Sequence, residues 1–389
     1  MTKEEFYEYV KSFGKEPGHY TTSEMIQIGL KHKNELGLAD KNWQELCDLL
    51  GWQGSKDSFR MYINHRKDST SEEALREMDR LYVAKTQIRD TYNAYRRTLR
   101  DEARIEDLKD IIKEEVSKLP DLPKIKYEGK KLEKALFVEA IAPIADLHLG
   151  AEFKNSYNEY NLDIATSRLN ELLDKTIKHC KEHKVNRLNI INMGDMISGK
   201  IHVTLRLENM TDAISQTMKA AEMLANFVNE CQKAVPEITY RTVSDNHSRI
   251  TDDKNQHIEK ENLNRIIDWF IEERLKNTKV KFPKDNLDIG LGRFVLENGK
   301  KVFFSHGHQD KKSTVMQDMV GLTREFPDYI LMAHYHNSAE HTFQGAKVFI
   351  SGSIMGTDTY AYGKRLFGEP EQRLLIFEGK DLIDVEIKL

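Results

Sequence analysis

From about residue 136 onward the chain repeats one pattern: a short apolar run, a polar break, then a longer stretch with apolar positions at helical spacing. Residues 137–145 have the length and composition of a buried strand. Residues 161–182 place Ile164, Leu169, Leu172, Leu173 and Ile177 on one side of a helix. Further strands are expected at 185–193, 238–243, 302–304, 329–332, 348–350 and 374–377, and further helices at 205–233 and 255–276. Alternation of this kind predicts an α/β domain.

The first third of the chain reads differently. Residues 1–69 predict a small helical module. Asp40 can cap a helix carrying Trp43, Leu46, Cys47 and Leu50, Gly51 to Gly54 break it, and Ser55 can cap a second helix with Phe59, Tyr62 and Ile63 inward. The other face of that helix holds Lys56, Arg60, Asn64, His65 and Arg66, so the pair resembles a helix-turn-helix DNA reader. A small bundle with a solvated charged face fits equally well. Residues 71–119 contain no Gly or Pro, and Leu81, Ile88 and Tyr95 recur every seven positions beside Tyr92 and Leu99. The spacing predicts one or two long helices, suited to a contact between subunits or to packing on the same chain. Arg96, Arg97 and Arg100 cluster there and read as a solvated face. Pro120 and Pro123 end the helix, and a linker follows to Lys134. The expected division is therefore 1–69, 70–134 and 135–389.

Composition narrows the classes. At 389 residues the chain can build more than one core, and a net charge of −4 offers no global field for nucleic acid, so any such surface must be local. Cys47, Cys180 and Cys231 are odd in number and form no CxxC pair, which suits a reducing compartment. No apolar run approaches a membrane span, and the first residues are unlike a signal peptide. A cytoplasmic protein without a membrane partner is expected.

The chemistry lies where the strands stop. Asp146 and His148 follow the first strand, Asp195 the second, Asn246 and His247 the third, His306 and His308 the fourth, and His334 and His336 the fifth. One such coincidence is easily accidental, but five in one domain are not. The carboxyl ends of strands in an α/β sheet share a crevice, so these residues can meet there. Imidazole and carboxylate together suit Mn, Fe or Zn. Two ions about 3.5–4 Å apart can activate water and clamp a phosphoryl group.

The ordered set Asp-x-His, Gly-Asp, Asn-His, His-Gly, His-x-His resembles the calcineurin-like metallophosphoesterase superfamily over residues 136–389. The resemblance implies a four-layer αββα sandwich and two divalent ions, with Mn²⁺ the first choice and Fe or Zn also suited. It assigns Asp146, His148, Asp195 and His336 to one ion, and Asp195, Asn246, His306 and His334 to the other. His247 would stay off the metals and stabilise phosphoryl oxygens or protonate the leaving oxygen. Three positions depart from the pattern. Asp245 replaces the glycine before Asn-His, Ser248-Arg249 replaces the acid after it, and Ala333 replaces the glycine before His334. His247 thus lacks its usual carboxylate partner, a part that Asp245, Asp252 or Asp253 could take.

The superfamily includes protein phosphatases, cyclic-nucleotide and small-molecule phosphodiesterases, and nucleases. The N-terminal module tips the choice to DNA, and a softer resemblance points to phage-encoded, DNA-repair-exonuclease-like phosphoesterases. The expected function is dinuclear-metal phosphodiester hydrolysis of DNA by in-line attack of activated water, with a homo-oligomer formed through residues 70–119. The alternatives are a phosphatase or phosphodiesterase on a small nucleotide or phosphoprotein, and a DNA-binding regulator with a weak catalytic domain. Candidate substrate contacts are Arg249, His308, Lys364 and Arg365, the last two in a segment rich in Gly, hydroxyl and aromatic groups that runs from Ser351. His202 and His257 read as idle. Candidate DNA contacts are Lys56, Arg60, Asn64 and Arg66.

Overall fold

The computed structural model describes residues 2–36, 40–64, 72–120, 122–127, 137–201, 209, 211–251, 253 and 257–389. The chain divides into two compact units, Met1–Leu108 and Lys109–Leu389.

In the first unit α1 (Lys3–Lys11), α2 (Thr22–Leu36), α3 (Asp40–Leu50) and α4 (Lys56–Asn64) surround an aromatic core. Thr2 and Glu5 cap α1 reciprocally: the Thr2 hydroxyl accepts from Glu5 N at 3.2 Å and the Glu5 carboxylate accepts from Thr2 N at 2.8 Å. Trp43 is fully buried between His32 and Phe59, with ring centroids 4.9 and 5.9 Å away. α5 (Glu72–Lys118) is a single helix of 47 residues. Tyr62 of α4 donates to Asp79 of α5 at 2.7 Å. Leu81, Ile88, Tyr92, Tyr95 and Leu99 of α5 are exposed. Lys56 and Arg60 are half-buried and Asn64 is exposed on α4, whereas Arg66 and His65 lie outside the described residues.

The second unit holds two five-stranded sheets. In the first, β1 (Val138–Ile144) pairs in parallel with β4 (Arg187–Asn192), which pairs in parallel with β5 (Glu237–Thr242). On the other side of β1, β11 (Glu371–Glu378) and β12 (Asp381–Lys388) run antiparallel. In the second sheet, β7 (Lys301–Ser305), β8 (Tyr329–Met332) and β10 (Ala346–Ile350) are parallel, flanked by antiparallel β6 (Leu291–Val295) and β9 (Ala339–Phe343). β2 (Phe153–Lys154) and β3 (Glu159–Tyr160) form a small hairpin.

The two sheets share a core. Ile141, Ile191, Val243 and Leu375 of the first meet Phe294, Phe304, Leu331 and Phe349 of the second. Alternate residues of the second sheet, Phe303, Ile330, Val348 and Ile350, pack with Val315, Met316 and Met319 of α9 (Val315–Thr323). The remaining helices are α6 (Leu162–Glu182), α7 (Ala213–Cys231), α8 (Asn264–Leu275) and α10 (Thr359–Gly363). Within each sheet the parallel strands point one way, so β1, β4 and β5 deliver their carboxyl ends together, as do β7, β8 and β10.

The helices expected at 205–233 and 255–276 are seen from later starts, residues 205–208, 210, 255 and 256 lying outside the described ones. α7 begins at Ala213 because the Asp212 carboxylate accepts from Ile214 N and Ser215 N, both at 3.0 Å. α8 begins at Asn264. The residue two before it, Asn262, is turned back, its amide donating to the Asp245 carbonyl at 2.8 Å. β2, β3, β6, β9 and β12 go beyond the expected strands. Among the described residues no helix is long and apolar enough to cross a membrane.

Candidate metal centre

Asp146 and His148 leave the end of β1, Asp195 follows β4, Asn246 and His247 follow β5, His306 follows β7, and His334 and His336 follow β8. The fold brings them together. Asp146, His148, Asp195 and His336 each offer a ligand atom within 4.8 Å of the others, and so do Asp195, His306 and His334. Asp195 belongs to both sets. Asn246 Oδ1 stands 3.1 Å from His306 Nε2, beside the second set.

Each carboxylate is fixed by one oxygen and leaves the other bare. Asp146 Oδ2 accepts from His334 N at 3.2 Å, and Asp195 Oδ1 accepts from His247 N at 3.1 Å. Asp146 Oδ1 and Asp195 Oδ2 are buried without a hydrogen-bond partner. His306 Nε2 comes within 3.1 Å of Asp195 Oδ2, and His148 Nε2 within 3.8 Å of both bare oxygens. His148 Nε2 and His336 Nε2 face each other at 3.2 Å. Bare oxygens and imidazole nitrogens converging from several directions fit divalent cations, since each atom keeps a lone pair for the shared space.

Backbone strain collects at the same place. Asp146, His148, Asp195, His334 and His336 all have left-handed backbone, with φ of 54, 45, 53, 69 and 57°. That conformation costs a residue with a Cβ about 1–2 kcal/mol, and persists where the surroundings over-determine it. The ends of β1, β4 and β8 thus deliver their candidate ligands on left-handed turns.

The field inside this cage favours positive charge. Burial works against a charge on His306, but Asp195 above all, then Asp146 and Asp245, outweigh it and lift the imidazole to about 10. Burial would raise Asp195 too, but His306, His247 and His148 hold it well below the usual carboxylate range. Asp146 is pushed well above that range by burial and by Asp195, with His306 opposing. Burial drives His148 well down and His336 to about 3, so both are neutral and suited to ligation. His306 Nδ1 lies 2.8 Å from the Met193 carbonyl, which can only accept, so Nδ1 carries a hydrogen in either charge state; the second proton of the raised imidazole sits on Nε2 toward Asp195, and its loss would free Nε2 to hold a cation.

His247 is oriented by backbone. Its Nδ1 lies 2.8 Å from the Ser198 carbonyl and donates to it, and its Nε2 points inward, 4.0 Å from Asp195 Oδ2. For Asp245 this corrects the expectation of a stand-in for the missing acid. Asp245 spends its carboxylate on the turn, accepting from Ser248 N at 2.7 Å and Ser248 Oγ at 3.0 Å. Burial and Asp195 raise it to about 6. Asp252 lies outside the described residues and Asp253 is exposed. Gly194 makes room for Asp245: with φ of 94°, a Cβ there would come within 2.5 Å of Asp245 Cβ. Besides Asp195, the Asp358 carboxyl is within electrostatic reach of His247; burial raises it, and its contact with Ala361 N and His247 pull it down.

The other candidates scatter. His308 lies half-buried beside the centre, its ring 5.5 Å from His306 and 6.3 Å from His334, and burial lowers it to about 3. Arg249 is buried, with Nε donating to the Thr251 carbonyl at 3.3 Å. Lys364 and Arg365 are exposed on the segment beyond β10. His257 is half-buried and His202 lies outside the described residues.

No protein-family model matches the chain. It is 25% identical over 368 residues to the SPbeta prophage-derived uncharacterized protein YonJ of Bacillus subtilis, an alignment covering 87% of this chain and 89% of that one. Solved structures with a similar arrangement include an archaeal phosphodiesterase (11% identity, 64% of this chain and 99% of that one, TM-score 0.31). Vps29 of Entamoeba histolytica with zinc (9%, 65% and 99%, 0.29) and a predicted phosphoesterase of Streptococcus pneumoniae (11%, 65% and 91%, 0.31) are also similar.

Proposed function

We propose that this chain is a calcineurin-like metallophosphoesterase with a four-layer αββα domain, a dinuclear metal-dependent phosphodiesterase that hydrolyses DNA. The observation that carries the reading is the pair of ligand sets sharing Asp195, each with a buried carboxylate oxygen left bare. Asp146, His148, Asp195 and His336 would hold one divalent ion, and Asp195, Asn246, His306 and His334 the other, with Mn²⁺ first and Fe or Zn also matching the donors. Ions bound there would supply charge neutralisation and activation of water for in-line displacement at phosphorus.

The chain's own residues do the rest. Because Ser198 holds Nδ1, a proton carried on His247 Nε2 is aimed into the cage, where it can stabilise a phosphoryl oxygen or pass to the leaving oxygen. His308, half-buried beside the centre, would donate to a non-bridging oxygen. DNA as the polymer is supported by the basic side of α4, with Lys56, Arg60 and Asn64, and by likeness to a prophage-derived protein. Arg66 would extend that side. The exposed seam of α5 supports a homo-oligomer.

Incubation with Mn²⁺ and bis-p-nitrophenyl phosphate, p-nitrophenyl phosphate, linear duplex and single-stranded DNA tests the proposal. Cleavage of the diester and of DNA is expected, and monoester hydrolysis alone would replace it with a phosphatase. His247→Ala should lose about 10²–10⁴ in kcat while elemental analysis finds its metal content unchanged.

A further inference from the structure

Beyond β10 the chain leaves the metal centre, forms an exposed aromatic tip and returns to the centre. At the outgoing end Ser353 Oγ and Met355 N donate to the carbonyl of Asp146 at 3.0 and 3.2 Å. At the returning end Gly368 packs on His336, where a Cβ would lie 2.4 Å from the His336 carbonyl oxygen. Thr357 closes the neck, its hydroxyl accepting from Gly368 N at 3.0 Å and donating to Gly368 O at 2.9 Å. Arg168 and Asn158 brace the floor, donating to the Met355 carbonyl at 2.7 Å each. Both ends of the segment are thus tied to residues of the proposed metal cage.

The tip is apolar where a solvent-facing turn need not be. Tyr360, Tyr362 and Phe367 are 69, 46 and 56% exposed, and Tyr157 from the β2–β3 hairpin is 66% exposed. The Tyr157 ring stands 5.8 Å from both Tyr362 and Phe367, tilted against one and edge-on to the other. Together with Arg365 these rings line a groove of about 740 Å³, within the roughly 300–1,000 Å³ usual for small-ligand sites. Lys364 lies 5.9 Å over the Tyr360 ring. A cluster of exposed rings marks a place where something binds. Cations interleaved with aromatic faces are what an unstacked nucleic-acid strand requires: charge for the phosphates and flat surfaces for the bases. A duplex keeps its base faces covered and cannot use the rings.

We infer that the groove of Tyr157, Tyr362 and Phe367 takes an unstacked base of a single-stranded nucleic acid, with Lys364 and Arg365 on the adjoining phosphates, and so presents a neighbouring phosphodiester to the metal centre. The inference rests on the phosphoesterase reading for its last clause and makes single strands, or frayed ends, the substrate class.

Fluorescence anisotropy with the full-length protein in EDTA, where nothing turns over, tests it. The probes are labelled oligothymidylate, an abasic strand of equal length, and a duplex. Tyr157→Ala/Phe367→Ala should weaken oligothymidylate binding by about tenfold or more per ring and bring it to the level of the abasic strand. Tyr157→Phe should retain wild-type affinity, since the ring face and not the hydroxyl is used. Equal oligothymidylate affinity in the double variant and wild type would overturn the inference. So would a dimer in sedimentation that the double variant dissolves, because the groove would then hold a second copy. Failure of wild type to cleave any diester with Mn²⁺ would remove the phosphoesterase reading alone, leaving the EDTA measurement to decide the groove.

Discussion

The two ends of the parallel strands β1, β4 and β5 bury charge in opposite ways. Where the strands begin, every charge is answered. Glu139 receives Asn189 Nδ2 at 2.8 Å, Glu297 N at 2.7 Å and Arg187 at 3.4 Å, while Arg187 also reaches Glu237 at 2.8 Å. Arg241, one residue before the end of β5, is answered too: its guanidinium forks Asp285 at 3.2 and 3.0 Å, donates back to Thr239 at 2.9 Å, and lies 4.4 Å over the Phe294 ring. Where the strands finish, Asp146 and Asp195 are just as buried and each has an oxygen with no hydrogen bond. One sheet therefore shows both the rule and its breach. Because the fold satisfies buried charge at the first end, the bare oxygens at the second are not general looseness, and a cation is the partner that their geometry fits.

The sharpest way to break this contrast is Asp146→Asn. Asparagine tolerates the left-handed backbone at this position and keeps an oxygen for His334 N, but it removes the charged ligand. Metal content measured on the purified variant should fall by one ion per chain, and diester turnover by about 10³-fold, or about 4 kcal/mol. The metal-free protein should nevertheless melt no lower than wild type, because the oxygen that is replaced has no hydrogen bond to lose. A clear drop in the metal-free Tm would show that Asp146 is structural and that the two ends do not differ.

Glu139→Ala probes the opposite end. It takes the carboxylate from buried Asn189 Nδ2 and from Glu297 N and leaves half-buried Arg187 with Glu237 and Glu297, and unsatisfying buried donors costs about 1–3 kcal/mol. Chemical denaturation should report that loss, while metal content and turnover per folded molecule stay as in wild type. If metal content fell in step with stability, the ends would be coupled and the separation of roles would be false.

The finishing end was legible in the sequence because its residues are loud: acids and histidines after apolar runs, in an order with a known resemblance. All seven proposed ligands meet where the strand ends predict. What was illegible there works through backbone. The Ser198 carbonyl that orients His247 has no side-chain signature, since every residue carries a carbonyl. The left-handed turns at Asp146, His148, Asp195, His334 and His336 lack the glycines that normally announce them. Asp245 looked like a spare acid for His247 and proves to be a turn brace. The starting end was silent, because Glu139 and Arg187 are ordinary charged residues until the parallel register sets them side by side. β12 was missed although its alternating Asp381–Lys388 follows a turn at Gly379, a hairpin signal that a search for buried runs passes over. The aromatic tip needed the fold, since Tyr157 and Phe367 are far apart in sequence.

A smaller test lies between the two ends. Asp268 of α8 accepts from Tyr240 at 3.0 Å and from Asn192 at 3.3 Å, at the edge of a groove of about 460 Å³. Burial raises it to about 7, against the hydrogen bonds of Thr242, Tyr240 and Asn192. In an unfolded chain an aspartate titrates near 3.9. Between about pH 4 and pH 7 the native state therefore binds more protons than the unfolded state, so stability is full below that window and falls as pH rises through it. The side chain is only half-buried, so solvent limits the cost to about 1 kcal/mol, or roughly 2–4 °C in Tm. Asp268→Asn, neutral throughout, should gain that much over wild type at pH 8 and nothing at pH 4.5. A difference in Tm that is the same at both pH values would mean Asp268 is charged in the folded protein and adequately paired, placing it with the satisfied charges of the starting end.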